Sequence, residues 1–261
     1  MGDVGVPGNW LRLPQFVVPL KKAVVNGTVT LSGKEAIHLA GSKRLRKGDK
    51  VRLADGQGRV VIAEITGLGR GEVSLRILTE LATKKDLVPC TILLSIIRLE
   101  RFELALAKLS EIGVCAVQPV LTEMGRFRKS DMKRLDKRVG RWQGICMESL
   151  KQSRGFVSTR VNNPLCLEDA IEIVSEARCK VALFAKEKGR GLVGMLQGVS
   201  NIFPAALAVG PEGGFSPNEK SMLKEAGFCP AGLGDRILRS ETAAIYGAVI
   251  FSELYTCLEN K

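Results

Sequence analysis

The chain has 261 residues, with 39 lysines and arginines against 27 aspartates and glutamates, a net charge of +12. That length supports one large or two modest domains with an ample core, and the positive excess favours polyanionic partners, nucleic acid most simply. Seven cysteines that never fall in C-x-x-C spacing and a single histidine argue against a zinc site and a disulfide framework and imply a reducing compartment, while no apolar run approaches the roughly 18 residues that span a bilayer.

From the N-terminus, residues 1–14 hold glycine, proline and two charged residues. They lack the charged start and apolar core of a signal peptide, so a cytoplasmic protein is expected. Residues 16–18, 24–30, 51–54, 60–65 and 73–78 are strand candidates by β-branched content and bounding turns. Asp55-Gly56-Gln57-Gly58 joins two of them as a hairpin loop, and Gly67-Leu68-Gly69-Arg70-Gly71 makes another turn. Ser32 caps a short helix, Glu35 completes a capping box, and the helix runs to about Leu39. The sum is a small antiparallel barrel. Between that helix and the next strand, Lys43, Arg44, Arg46 and Lys47 put four cations within five residues. They form either a solvated loop or a contact to RNA phosphates. Residues 79–89 are polar, close on Pro89 and suit a linker. A first domain at 1–80 and a second at 90–261 follow.

Past the linker the periodicity changes. Residues 91–97 are a continuous apolar run fit for a buried parallel strand. Residues 101–112 read as an amphipathic helix stopped by Gly113, and 114–121 as a strand again. This β-α-β alternation predicts a parallel sheet. Lys108 and Glu111 either pair on the helix surface or serve a structural role at a site. Residues 130–152 read as the longest helix, with Met132, Leu135, Val139, Trp142, Ile145 and Leu150 as its buried stripe. Its other face carries Lys133, Arg134, Lys137, Arg138 and Arg141, either solvated or facing RNA. Residues 180–185 and 205–210 are further parallel strands around a glycine-rich helix or loop at 189–199. A last helix at 240–258 turns Ile245, Ala248, Val249, Tyr255 and Leu258 inward.

The most informative stretch is 210–242. Gly210-Pro211-Glu212-Gly213-Gly214-Phe215-Ser216-Pro217 follows an apolar strand and opens a helix. Ser216 is the N-cap, Pro217 the first helical residue, Glu219 completes a capping box and Gly227 ends the helix. Gly213 and Gly214 let the backbone approach a ligand closely, at the carboxyl end of a strand where α/β proteins bind ligands. Neither a Walker pattern nor G-x-G-x-x-G is present. A second loop reads Leu233-Gly234-Asp235-Arg236-Ile237-Leu238-Arg239-Ser240-Glu241-Thr242.

These two loops together resemble the signature of the RsmE family, with Ser240 where that family usually has threonine. The resemblance implies S-adenosylmethionine-dependent methylation of N3 of a uridine in small-subunit ribosomal RNA. It implies an α/β SPOUT-type parallel sheet with a C-terminal deep trefoil knot around 210–242, preceded by a small PUA-like β-barrel domain, and a homodimer. Weaker matches extend it. The pattern His38…Arg44-x-x-x-Gly48-Asp49…Asp55-Gly56-x-Gly58 is similar to the family's barrel, although Ser42-Lys43 replaces its usual Val-Leu. Lys108-x-x-Glu111-Ile112-Gly113-Val114 is similar to its Lys-x-x-Glu-Leu-Gly-Val. His38 itself suits a packed or capping residue.

By the same resemblance, the cofactor lies among Leu183, Phe184, Gly210, Glu212, Gly213, Gly214, Leu233, Gly234, Ile237, Leu238 and Thr242. Gln152 and Ser153, followed by Arg154, match a family motif on the substrate side, and with Arg134 and Arg141 they are candidates for RNA contact. A cation beside the uracil ring favours its deprotonated form, which gives Arg236 or Arg239 a catalytic role. Glu241 and Glu212 are alternatives as base or as partners of those arginines. No metal is expected. Two rival readings are a SPOUT methyltransferase for another RNA and an RNA-binding protein that has lost the cofactor.

Overall fold

The structure is a computed structural model, and it describes residues 10–20, 25–42, 45–69, 71–81, 86–184, 191–197, 199 and 201–259. The chain divides into two compact units, Met1–Asp86 with Met147–Ser158, and Leu87–Cys146 with Thr159–Lys261.

In the first unit, β1 (Gln15–Val17), β2 (Thr28–Ser32), α1 (Gly33–Ser42), β3 (Lys50–Ala54), β4 (Val60–Leu68) and β5 (Glu72–Leu81) follow one another. The strands form a five-stranded sheet in the order β1-β3-β4-β5-β2. The strand-rich expectation holds, with one correction: β1 pairs with β3 in parallel, so the sheet is mixed rather than antiparallel. A parallel pair needs a long crossover, and β2 with α1 supplies it. Two register shifts between β4 and β5 increase the local bend and twist. Phe16, Leu31, Leu39, Leu53, Ile65 and Leu75 form the core of this unit.

The segment Met147–Ser158 is bonded into the same unit. Gln15 Nε2 donates to the carbonyls of Leu150 and Gly155 at 3.1 and 3.0 Å. The Asp86 carboxylate accepts from the Phe156 and Val157 amides at 2.8 and 3.2 Å. Lys151 pairs with Glu35 at 2.5 Å and Glu148 at 2.7 Å. Glu35 therefore holds a distant segment as well as lying in the first turn of α1.

In the second unit, β6 (Val88–Ser95), α2 (Leu99–Ile112), β7 (Val114–Leu121), α3 (Met132–Asp136) and the start of α4 (Val139–Ser153), whose residues from Met147 on belong to the first unit, come first. Then follow β8 (Arg160–Val161), β9 (Leu165–Cys166), α5 (Leu167–Ile173), β10 (Cys179–Leu183), α6 (Leu192–Leu196), β11 (Ala205–Val209), α7 (Pro217–Glu225), β12 (Cys229–Ala231) and α8 (Ser240–Glu259). The sheet order is β12-β10-β11-β6-β7-β8, with β9 also on β7, and every pair is parallel. Neighbouring residues of one strand point to opposite faces. Leu94 and Leu207 accordingly pack with Phe102, Leu106, Trp142 and Phe251 on one side. Leu93 and Ala206 pack with Ala170, Phe215, Leu223 and Phe228 on the other. Helices thus cover both faces, as the apolar strand runs require.

Gly113 ends α2 with φ +84, as the sequence predicts. The single helix expected at 130–152 is broken. The Arg138 amide donates to the Leu135 carbonyl at 2.8 Å, an i−3 bond that tightens the turn between α3 and α4. The longest described helix is instead α8, with 20 residues. Its buried face matches the expected one at Ala248, with Tyr255 packed partly buried on the core, and differs elsewhere. Ala244, Gly247, Ala248 and Phe251 are buried, whereas Val249 is 44% and Leu258 38% exposed. Close approach decides this: a Cβ on Gly247 would stand 2.5 Å from Leu207 Cδ2. Small residues, joined by Phe251, therefore face the sheet.

Candidate active site at the ends of three parallel strands

The strands β10, β11 and β12 stop level with one another, Leu183 opposite Val209 and Ala231. The loops that leave them line one cavity. Leu183 and Phe184 contribute from the first, Gly210, Pro211, Glu212 and Gly214 from the second, and Leu233, Gly234, Arg236, Ile237 and Leu238 from the third. Ser240 and Ala243, at the start of α8, close the lining.

Local chemistry fixes each loop. Ser216 Oγ accepts from the Glu219 amide at 3.1 Å, and Glu219 Oε2 accepts from the Ser216 amide at 2.8 Å. This is the predicted capping box. The other oxygen of Glu219 accepts from the Glu123 amide at 2.8 Å, which ties α7 to the chain after β7. Gly214 takes φ +74 and donates to the Pro211 carbonyl at 2.8 Å, folding the loop back on itself. Gly210 leaves little room for a side chain, since a Cβ would meet the Phe215 ring at 3.2 Å. The third loop is pinned by the Leu192 amide on the Gly232 carbonyl at 3.0 Å.

The cavity wall is apolar at Leu183, Val209, Ala231, Leu233 and Leu238, and its charged groups stand at the edge. Arg236 is exposed in the lining. Arg239 and Thr242 are exposed and outside it. The Arg239 carbonyl instead accepts from the Ala243 amide at 2.8 Å and starts α8. Gly213 also lies outside, backed by Met124, whose Cβ would be 3.3 Å from an added Cβ. Glu241 is buried in the first turn of α8. Arg101 approaches it from α2, Nε to Oε1 at 3.8 Å, and reaches Glu212 Oε1 with Nη1 at 3.4 Å. The Glu241 Oε2 atom is buried with no hydrogen-bond partner among the described residues.

Arg101 is absent from the sequence-based candidates. A signal did exist: an arginine in the first turn of a helix opposes the helix dipole, so it calls for carboxylate partners from elsewhere. Those partners come from residues more than a hundred positions away, which spacing cannot reveal.

The RNA candidates fall in both units. Lys43 and Arg44 lie outside the described residues, as does the His38 side chain. Arg46 and Lys47 are exposed in the first unit. Gln152, Ser153 and Arg154 are exposed in the same unit, where the Arg154 carbonyl accepts from Arg52 Nη2 at 3.2 Å. In the second unit Arg134 pairs with Asp131 at 2.9 Å. Arg141 grips Glu103 with two bonds of 2.8 and 2.7 Å. Lys108 and Glu111 form a surface pair at 2.8 Å.

An apolar slot with exposed backbone groups and a cation at its edge suits a flat heteroaromatic ligand. The comparisons with known proteins agree in kind. A profile described as an RNA methyltransferase domain matches residues 83–252, and one described as an RNA methyltransferase PUA domain matches residues 31–78. The chain is 32% identical over 230 residues to the ribosomal RNA small subunit methyltransferase E of a Synechocystis species, covering 87% of this chain and 73% of that one. It is 29% identical to the protein of the same name from Mycobacterium bovis, over 82% of each. Among solved structures it is similar to the ribosomal RNA small subunit methyltransferase E of Neisseria gonorrhoeae bound to S-adenosyl methionine. There the TM-score is 0.81 at 29% identity, over 93% of this chain and 98% of that one.

Proposed function

Because the chain belongs to the ribosomal RNA small subunit methyltransferase E family, we propose that it methylates N3 of one uridine in small-subunit ribosomal RNA, using S-adenosylmethionine. The observation that carries this reading is the convergence of three strand-end loops on one apolar cavity with an arginine in its lining. The residues fit that cofactor. Leu183, Val209, Leu233 and Leu238 offer apolar surface to adenine, and the glycine loops offer backbone donors and acceptors to its edge. When bound, S-adenosylmethionine supplies a methyl group already activated by its sulfonium, so alignment and exclusion of water are what remains for the protein.

Uridine N3 carries a proton and lies on the pairing edge, so the target base enters unpaired or flipped. Arg236 places positive charge beside the ring and favours loss of that proton, with Arg239 of the same loop as the second catalytic candidate. Arg101 holds Glu241 and Glu212, which makes these carboxylates partners that shape the loops. Cofactor contacts extend to Phe184, Gly210, Gly214, Gly234 and Ile237.

The first domain, 1–80, serves as an RNA-holding PUA-like module and 90–261 as the catalytic one. The basic run at 43–47, with Gln152, Ser153 and Arg154, meets phosphates. After β12 at the sheet edge the chain returns to α8, which packs on β6 and β11, a path that suits a threaded knot. Tyr246 and Val249 leave an apolar stripe on α8, 49% and 44% exposed, beside the cavity-lining Ala243. That stripe is our candidate for a homodimer seam. No described helix is long and apolar enough to cross a membrane, and we place the protein in the cytoplasm with the small ribosomal subunit.

The test is transfer of labelled methyl from S-adenosylmethionine to small ribosomal subunits of a strain lacking the modification. Nuclease digestion and mass spectrometry then locate the product. One N3-methyluridine is expected. RNA binding without cofactor binding or transfer would favour a non-enzymatic protein instead.

A further inference from the structure

The second unit carries another concavity, reached by the chain after β6 and β7. It is lined by Arg98, Arg126, Arg134 and Arg138, with Glu100 as its one acidic residue. Four cations against one anion leave a surplus of three positive charges around one concavity. Arg134 is partly committed, to Asp131 at 2.9 Å and over the Phe127 ring at 5.7 Å. Glu103, the carboxylate on which Arg138 acts, is already held by both arms of Arg141. Among the described residues, Arg98, Arg126 and Arg138 take part in none of the second unit's ion pairs.

Guanidinium groups that line one concavity repel one another, and the lining residues that pack on the core are Leu99 and Phe127. An anion relieves that repulsion, and the guanidinium fork matches two phosphate oxygens at once. The cavity also has a fixed relation to the active-site candidate. Arg98 immediately precedes α2, and Arg101, one turn later, reaches Glu212 of the first cavity at 3.4 Å. Both concavities open on loops at the same carboxyl edge of one sheet.

We propose that Arg98, Arg126 and Arg138 form a phosphodiester-binding site for the RNA strand flanking the target nucleotide. The proposal rests on the methyl-transfer reading for the identity of the RNA. The site positions the strand and touches no reacting atom.

The experiment uses the full chain and naked small-subunit ribosomal RNA, with binding measured between about 50 and 200 mM salt. In an Arg98→Ala, Arg126→Ala, Arg138→Ala protein, the slope of log affinity against log salt should fall by about one for each phosphate left without its guanidinium. RNA affinity should drop about tenfold or more near 0.15 M salt, with S-adenosylmethionine affinity unchanged. Lysine at the same three positions keeps the charge and the fold, and should recover most of the slope while losing the fork. An alanine variant with wild-type affinity and slope overturns the site, as does one whose loss lysine fails to restore. A wild-type protein that binds this RNA but neither binds S-adenosylmethionine nor transfers methyl overturns the enzymatic reading, and the salt slopes still decide the arginine site.

Discussion

The Ser240 hydroxyl donates to the Gly210 carbonyl over 2.7 Å in a buried position, joining residues 30 apart in the chain. This bond ties the loop after β11 to the first residue of α8. Ser240→Ala leaves a buried carbonyl without its donor, at a cost of about 1–3 kcal/mol. S-adenosylmethionine affinity should fall with it, and Ser240→Thr, which keeps a hydroxyl, should retain both. Calorimetric titration and urea unfolding measure the two effects. Unchanged affinity in the alanine variant would detach this bond from the site.

Two glycines of the same loop should fail for different reasons. At Gly210 an added Cβ meets the Phe215 ring at 3.2 Å and the Gly214 carbonyl carbon at 3.3 Å. The backbone atom cannot swing away, so Gly210→Ala is an overpacking change of about 1–3 kcal/mol that reshapes the cavity. At Gly214 nothing stands within 4 Å, but φ is +74. Gly214→Ala therefore incurs only the left-handed strain, about 1–2 kcal/mol. The expected contrast is a large loss of cofactor affinity for the first and a mainly thermal loss for the second. Equal affinity losses would contradict it.

Much of this was legible because the signals are local. The capping box of Ser216 and Glu219, the stop at Gly113 and the apolar runs of β6 and β11 depend on near neighbours alone. Most of the lining was legible too, but only through the two-loop signature, since spacing never shows that Leu183, Gly210 and Leu233 end level strands. What escaped depends on distant partners. The buried face of α8 follows from the fit of Gly247 against Leu207 rather than from side-chain hydrophobicity. The parallel seat of β1 on β3 leaves no trace in alternation. Arg101 gains its meaning only from Glu212 and Glu241.

Arg101 should matter to the reaction as well as to the fold. Its side chain is 31% exposed and its pair with the exposed Glu212 is 3.4 Å long, so that pair contributes under about 1 kcal/mol to stability. Glu241, 8% exposed and 3.8 Å away, instead keeps a buried charge that needs a cation nearby. The two pairs restrain both glycine loop and α8, and small displacements of aligned groups are costly in rate. Arg101→Ala should slow methyl transfer about tenfold or more and also lower the unfolding midpoint, because Glu241 is left buried without its cation. Arg101→Lys, a point charge without the fork, should recover part of the rate. A rate loss that disappears at a temperature where Arg101→Ala is fully folded would make Arg101 merely structural.

The Arg141 grip on Glu103 should show in the acid limb of stability. The two hydrogen bonds from the guanidinium hold the Glu103 carboxyl below its ordinary value of 4.5, against the opposing effect of partial burial. Between the lowered folded value and 4.5 the unfolded chain binds more protons than the folded one, so stability rises with pH across that window. The contribution is complete above the unfolded value and is lost as pH falls through the folded one. Arg141→Ala should therefore flatten the acid limb, leaving stability near pH 3 closer to wild type than stability at pH 7. Urea unfolding from pH 3 to 7 measures it, with Glu103→Gln expected to flatten the same limb. Parallel curves for wild type and Arg141→Ala would show that Glu103 owes its acidity to another group.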